Sequence, residues 1–372
     1  MSRIVVVGAG IVGLSVARAA LRRGHDVTVL EQGDVPNPRA ASHDQHRMIR
    51  LHYGASEGYT RMVGLAFAAW EDLWQDLGAR HFADSGALAV STAPGDYADQ
   101  TRLLFRRLGI EHEMLDAAAI ERLCPHLAMP PVASGVLAFP GGPLFADRIL
   151  GDLARLVAER GADVRKHCRA VAVDEAAGAV TLADGQVVAG DLVVAAAGAW
   201  LAELLPARYG AQPRYRQALC YVAPPPRYEA GWAAGPAIVT LGDRNVYTLP
   251  PLAGTGLKFG SGGRRRPGIP RDGFEEPLAQ GQRVIEDFGP YLRDAGDYRP
   301  LRMQVGYYVM DETRRFALHH GRRAVVVTNC DGQMFKFGPL LAERILAAWD
   351  GEQRFDDLAR WAAGEVVSPV PD

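Results

Sequence analysis

The chain has 372 residues, 48% of them hydrophobic and 23% charged, with a formal net charge of −2. That length suggests two domains, or one large core with an appended lobe, and this much apolar surface excludes disorder for most of the chain. No basic field exists to hold nucleic acid, and the Arg264-Arg265-Arg266 triplet is too short and isolated to supply one. No apolar run approaches the ~18–20 residues of a membrane helix; the longest, Ile4 to Leu14, is broken by three glycines. The N-terminus begins a strand rather than a signal peptide. Cys124, Cys168, Cys220 and Cys330 form no C-x-x-C, which argues against a metal site and against a disulfide framework. A reducing cytoplasm is the expected compartment. Of 41 basic residues only Lys166, Lys258 and Lys336 are lysine, so a lysine here is mildly informative.

Ile4–Val7 is a continuous β-branched run and reads as a buried parallel strand. Gly8-Ala9-Gly10-Ile11-Val12-Gly13 follows at once, then helical spacing from Leu14 to Arg23, a stop at Gly24, and an alternating strand Asp26–Leu30 ending at Glu31-Gln32. Each part has a physical role in binding a dinucleotide. Gly8 permits the tight turn, Gly10 lets backbone approach a pyrophosphate, and Gly13 lets helix and strand pack closely. The helix N-terminus favours phosphate. The Glu31 carboxylate suits ribose hydroxyls and disfavours a 2′-phosphate. The motif alone does not separate FAD from NAD. Beyond it the chain does not continue as regular βα units: residues 34–56 are polar and turn-rich.

Helical stripes are predicted over 60–78 (Met62, Leu65, Ala66, Trp70, Leu73, Leu77) and 145–160 (Ile149, Leu150, Leu153, Leu156, Val157), both as core packing. Short strands are predicted at Asp163–Val173, Val180–Leu182, Val187–Val188 and Leu192–Ala197. From about 212 to 310, prolines, aromatics and short strand signals predict an antiparallel sheet in a second lobe, to which 84–144 contribute. A last parallel strand is expected at Ala324–Thr328, followed by a helix.

Six ordered motifs then carry a resemblance: VVVGAGIVGLSVA with VTVLEQ, SHDQHRMIRLHYG, VVAAAGAW, YTLPPLAGTGLKFG, VGYYVMDETRRF and CDGQMFKFGP. They span nearly the whole chain. The sequence resembles the amine-oxidising flavoproteins of the D-amino-acid oxidase superfamily, nearest the monomeric sarcosine oxidase and N-methyltryptophan oxidase group. The resemblance implies a mixed α/β (α+β) fold. A Rossmann-like FAD-binding domain (1–83, 145–211 and 315–372) would carry an inserted antiparallel-sheet substrate domain (84–144 and 212–314). It implies FAD as cofactor and a reaction in which a secondary amine becomes an imine and dioxygen becomes hydrogen peroxide. Partners would be a small carboxylated amine and O2, with a monomer expected.

The resemblance also implies residue roles. Arg47, with Met48 and Ser42, lies beside the flavin, and Arg50 forks onto the substrate carboxylate, a geometry that guanidinium suits. Lys336, in the apolar Met334–Gly338 segment, is the second carboxylate clamp. A buried ammonium needs an anionic partner. Lys258, in Gly256–Gly260, matches the lysine that activates oxygen, where a fixed cation stabilises developing negative charge. Tyr247 and Tyr308 match pocket walls. Val171 matches an adenine contact, Ala197, Gly198 and Trp200 a second flavin contact, and Gly332, Gln333, Phe335 and Lys336 the flavin's pyrimidine side.

Two departures stand out. The resemblance implies a flavin linked through a cysteine where this chain has Gly306, so non-covalent FAD is expected, with linkage through the nearby Cys330 as the alternative. A pocket histidine is replaced by Gly262, which predicts room for an amine larger than sarcosine. Rival readings are a flavin dehydrogenase using another electron acceptor, a non-catalytic dinucleotide-binding subunit, and an NADPH-dependent hydroxylase, the last disfavoured by Glu31.

Overall fold

The computed structural model describes residues 1–366; the end of the 315–372 segment, residues 367–372, lies outside the described residues. Strand Arg3–Val7 sits inside a six-stranded sheet, between Asp26–Leu30 and Leu192–Ala195, both parallel to it. Ala324–Thr328 extends the sheet beyond Leu192–Ala195, and Asp163–Arg165 extends it beyond Asp26–Leu30. Ile4 and Val6 face a core of helices, while Val5 and Val7 face a second core closed by residues near 180, 193 and 204. Burial on both faces is why these strands read as unbroken apolar runs.

Helices Ile11–Arg22, Glu57–Leu77, Ala146–Glu159 and Gly338–Trp349 cover the first face. Arg18 is buried among them, its Nε 2.6 Å from Asp76 and its Nη2 2.7 Å from Asp72. The long helix starts three residues earlier than its stripe, and Leu65, placed in that stripe by spacing, is exposed. Val63 and Trp74 take core positions instead. The run Asp163–Val173 is not one strand. Asp163–Arg165 joins the six-stranded sheet, and after a turn with His167 at φ +54°, Ala170–Asp174 starts a separate three-stranded antiparallel sheet.

The other large sheet has nine strands drawn from residues 87–138 and 214–309. It is antiparallel except where Ala237–Leu241 runs parallel to Ala87–Ser91. Its alternation sorts chemistry by face. Cys220, Val222, Val246, Leu257 and Phe259 enter a hydrophobic core below the sheet. Their neighbours Leu219, Tyr247 and Lys258 line a cavity above it. A period of two thus places one lysine opposite a wall of leucine and phenylalanine.

Candidate active site

The glycine turn closes as its spacing predicts. Gly8 has φ +101°, and a Cβ at Gly13 would overlap the Gly8 carbonyl oxygen. Gly13→Ala must therefore push the helix off the strand. We expect it to cost about 3 kcal/mol, as overpacked cores do, measured as lost stability together with weaker cofactor retention in the purified protein. Glu31 is buried, and its carboxylate accepts from Ala9 N (2.8 Å), Gly33 N (3.0 Å) and Asn37 Nδ2 (2.9 Å). It holds the glycine turn in place; Oε1 accepts two of these bonds and Oε2 one, so Oε2 keeps a lone pair for a ribose hydroxyl. Ser42 Oγ accepts from Ile11 N at 3.1 Å and occupies the space beside Gly10.

A cavity of about 1400 Å³, mouth included, opens above this turn. Gly8, Gly10, Ile11 and Val12 form its floor, and Glu31, Gln32 and Ser42 one side. Val171 stands on that wall as well, with Ala197, Gly198 and Trp200 on another, and Arg47, Gly332 and Phe335 complete the lining. Gly13 lies beneath the floor as a packing residue. The 3₁₀ turn Met334–Phe337 is fixed by Trp70, whose Nε1 donates to the Lys336 carbonyl oxygen at 2.8 Å.

A second cavity, about 1290 Å³ with its mouth, shares Ala40, Ala41, Arg47, Gly332 and Phe335 with the first. It gathers Met48, Arg50, Tyr247, Lys258, Tyr308, Gln333 and Lys336. Arg50 and Lys336 converge on one ring: the Arg50 Cζ is 4.6 Å and the Lys336 Nζ 5.6 Å from the Tyr53 centroid. Lys336 is buried and Arg50 half-buried, and the enclosed Arg50 Nη1 has no hydrogen-bond partner among the described residues. Burial, then the Arg50 charge, pushes the Lys336 ammonium far below its ordinary range, with only Asp331 opposing. An anion placed between the two would supply what both lack.

Lys258 is arranged differently. Its Nζ lies 3.0 Å from Asp44 Oδ2 and donates to the His46 carbonyl oxygen. Asp44 is fully enclosed and also binds Arg47 and the Tyr221 hydroxyl (2.5 Å). Burial alone would raise the Asp44 pKa. The Lys258 and Arg47 charges outweigh burial and hold it well below the carboxylate range. Burial draws Lys258 down to about 8 against the pull of Asp44, and burial with the Lys258 charge drives His46 to about 2, so its ring is neutral. Burial pushes Tyr247 up to about 12 and raises Tyr308 further, leaving both phenols protonated.

Residues 3–349 match the family described as FAD dependent oxidoreductase, DAO. The chain belongs to that family. FAD is therefore its cofactor, and the protein is a flavin-dependent oxidoreductase. Peroxisomal sarcosine oxidase of Mus musculus is 29% identical over 160 residues, covering 43% of this chain and 41% of that protein. N-methyl-L-tryptophan oxidase of Yersinia pestis (strain Pestoides F) is 25% identical over 348 residues, covering 91% and 92%. Among solved structures, NikD, an unusual amino acid oxidase essential for nikkomycin biosynthesis, superposes with a TM-score of 0.80 at 23% identity, covering 99% of this chain and 98% of that one. L-proline dehydrogenase from P. horikoshii superposes at 0.81 and 18%, covering 98% and 99%. These structures share the fold.

The first cavity fits the family's cofactor: its glycine floor sits at a helix N-terminus beside an acidic strand end. Sequence reading missed Asp44, which sits in a polar stretch that reads as loop. Nothing in its neighbourhood signals a lysine 214 positions away. It also missed Asn37 and Asp331, for the same reason. The place vacated by the histidine at Gly262 is not simply open, because a Cβ there would strike the Asn245 side chain.

Proposed function

We propose that this chain is an FAD-dependent oxidase of a secondary amino acid, N-methylated or cyclic, producing an imine and hydrogen peroxide. The observation that carries this reading is the pair Arg50, half-buried, and Lys336, buried, two basic side chains with no ion-pair partner among the described residues, at a cavity that adjoins the dinucleotide cavity. A carboxylate held there places the neighbouring C–N bond near the shared wall of the two cavities. The similarity to a sarcosine oxidase and an N-methyl-L-tryptophan oxidase supports the same class, since both names denote N-methylated amino acids.

When bound, FAD would supply the two-electron oxidation of the C–N bond and the reduction of dioxygen. The protein's own groups do the rest. Gly8, Gly10, Ile11, Val12, Glu31, Gln32 and Ser42 hold the nucleotide end of FAD, and Val171, Ala197, Gly198 and Trp200 wall it. Arg47, Met48, Gly332, Gln333 and Phe335 border the flavin end. The cofactor is bound non-covalently, with Gly306 offering no side chain. Arg50 and Lys336 orient the carboxylate, while Tyr247 and Tyr308 exclude water. Lys258 presents a fixed positive charge for the oxygen-dependent step. The substrate nitrogen must be neutral to lose electrons, so turnover rises with pH as the free amine forms.

The test is anaerobic mixing of the holoenzyme with N-methyl and cyclic amino acids, followed by air and peroxide detection. Bleaching of the visible flavin band and its recovery with stoichiometric peroxide are expected. Bleaching without rapid recovery would move the protein to the dehydrogenases. Arg50→Met leaves Lys336 to hold the carboxylate, so the loss falls at the low end for a truncated buried charge pair, about 2 kcal/mol. Weaker binding of carboxylated ligands, with little change for decarboxylated amines, is the expected result of a spectral titration.

A further inference from the structure

The arginine triplet, without a partner in the sequence, is divided by the fold. Arg264 Nε lies 2.5 Å from Asp287 Oδ2, and Arg266 Nη2 lies 3.2 Å from Glu276 Oε2. Arg265 points the other way. It is half-buried, lines the second cavity beside Gly262 and Asn245, and has no side-chain hydrogen bond or ion pair among the described residues. Surface arginines need no partner, but this one faces a cavity while its two neighbours are satisfied.

The charge balance of that cavity makes the position more telling. Six cations line it: Arg47, Arg50, Lys258, Arg265, Arg314 and Lys336. Asp331 is the sole carboxylate in the lining among the described residues, and it pairs with Arg314 at 2.9 Å. Asp44, behind the wall, is shared by Arg47 and Lys258. Arg50, Lys336 and Arg265 are left. One substrate carboxylate answers the first two, which converge on Tyr53. The third stays unanswered by a monocarboxylate.

We propose that the substrate is a dicarboxylic amine, whose second carboxylate is received by Arg265. The inference rests on the reading of the site as one for a carboxylated amine, and it names the class within it. Gln304 and Asn245, also in the lining, offer amide groups to the same end of the ligand. An apolar distal group would instead leave Arg265 facing a desolvated wall, which is unfavourable.

The probes are thioether acids, in which sulfur replaces the oxidisable nitrogen. One set carries a single carboxylate, and a matched set carries a second at two, three or four carbons from sulfur. Binding to the holoenzyme is followed by calorimetry and by perturbation of the visible spectrum. We expect one dicarboxylate to bind at least tenfold more tightly than its distal methyl ester. We also expect Arg265→Gln to abolish that ratio, and added salt to reduce it. If monocarboxylates bind and no second carboxylate tightens binding, the dicarboxylate inference is overturned while the reading of the site survives. If no carboxylate binds at all, that reading fails with it. A ratio that persists in Arg265→Gln would overturn the assignment of Arg265.

Discussion

Asp44→Asn is expected to lower the stability of the holoenzyme by about 3–5 kcal/mol at pH 6, the usual cost of stripping one partner from a buried ion pair. The substitution keeps shape and can keep the bond to Tyr221. It removes the charge that answers Lys258 and Arg47 from inside the wall. The effect should shrink at pH 9, because Lys258 titrates near 8 and is then largely neutral. The acid side has its own sign. The folded Asp44 pKa is depressed, so the unfolded chain takes up this proton first as pH falls. The stabilisation is full above the ordinary carboxylate range and is lost below it. Urea midpoints of wild type and variant between pH 3 and 9 test this. An equal loss at pH 6 and pH 9 would count against the ion pair as its cause.

Lys258→Met should slow reoxidation of the reduced enzyme by dioxygen by about 10²–10³-fold, the range for removing one preorganised charge or donor from a developing anion. Asp44 keeps Arg47 in the variant, so the wall retains a balanced pair. In the wild type the same step should be fastest while Lys258 is protonated. Its rate constant should fall by up to about tenfold per unit above pH ~8. Asp44→Asn removes the upward pull on Lys258 and should shift that inflection to lower pH. Stopped-flow mixing of reduced enzyme with aerated buffer reads all three. Full oxygen reactivity in Lys258→Met would make the lysine a structural counter-ion to Asp44 and favour a different electron acceptor.

The legible part of this protein was local or periodic. The glycine turn, its strand and helix, and Glu31 are adjacent in sequence, and each carries a steric requirement that few residues meet. Lys258 and Lys336 stood out because lysine is rare here and both sit in apolar, glycine-flanked segments. What stayed hidden were the long-range answers to those charges. Asp44 sits in a polar stretch, and burial of a charge leaves no periodic trace. The same holds within the triplet, where only Asp287 and Glu276 distinguish Arg265 from its neighbours. Leu65 shows the reverse error. It has the right spacing for the core, but the helix turns it outward once Val63 and Trp74 are packed.

The six-stranded sheet also fixes an order of events. Arg3–Val7 leaves the ribosome before the other strands of its sheet, yet one neighbour, Leu192–Ala195, and the strand beyond it, Ala324–Thr328, are made much later. At roughly 5–20 residues per second, Val7 waits on the order of 15–60 s for Ala324. The glycine turn meanwhile lacks the far wall of its cavity, which includes Gly332 and Phe335. Capture of FAD therefore waits for Ala324–Thr328 and the segments that flank it, and a yellow protein is one in which they have docked.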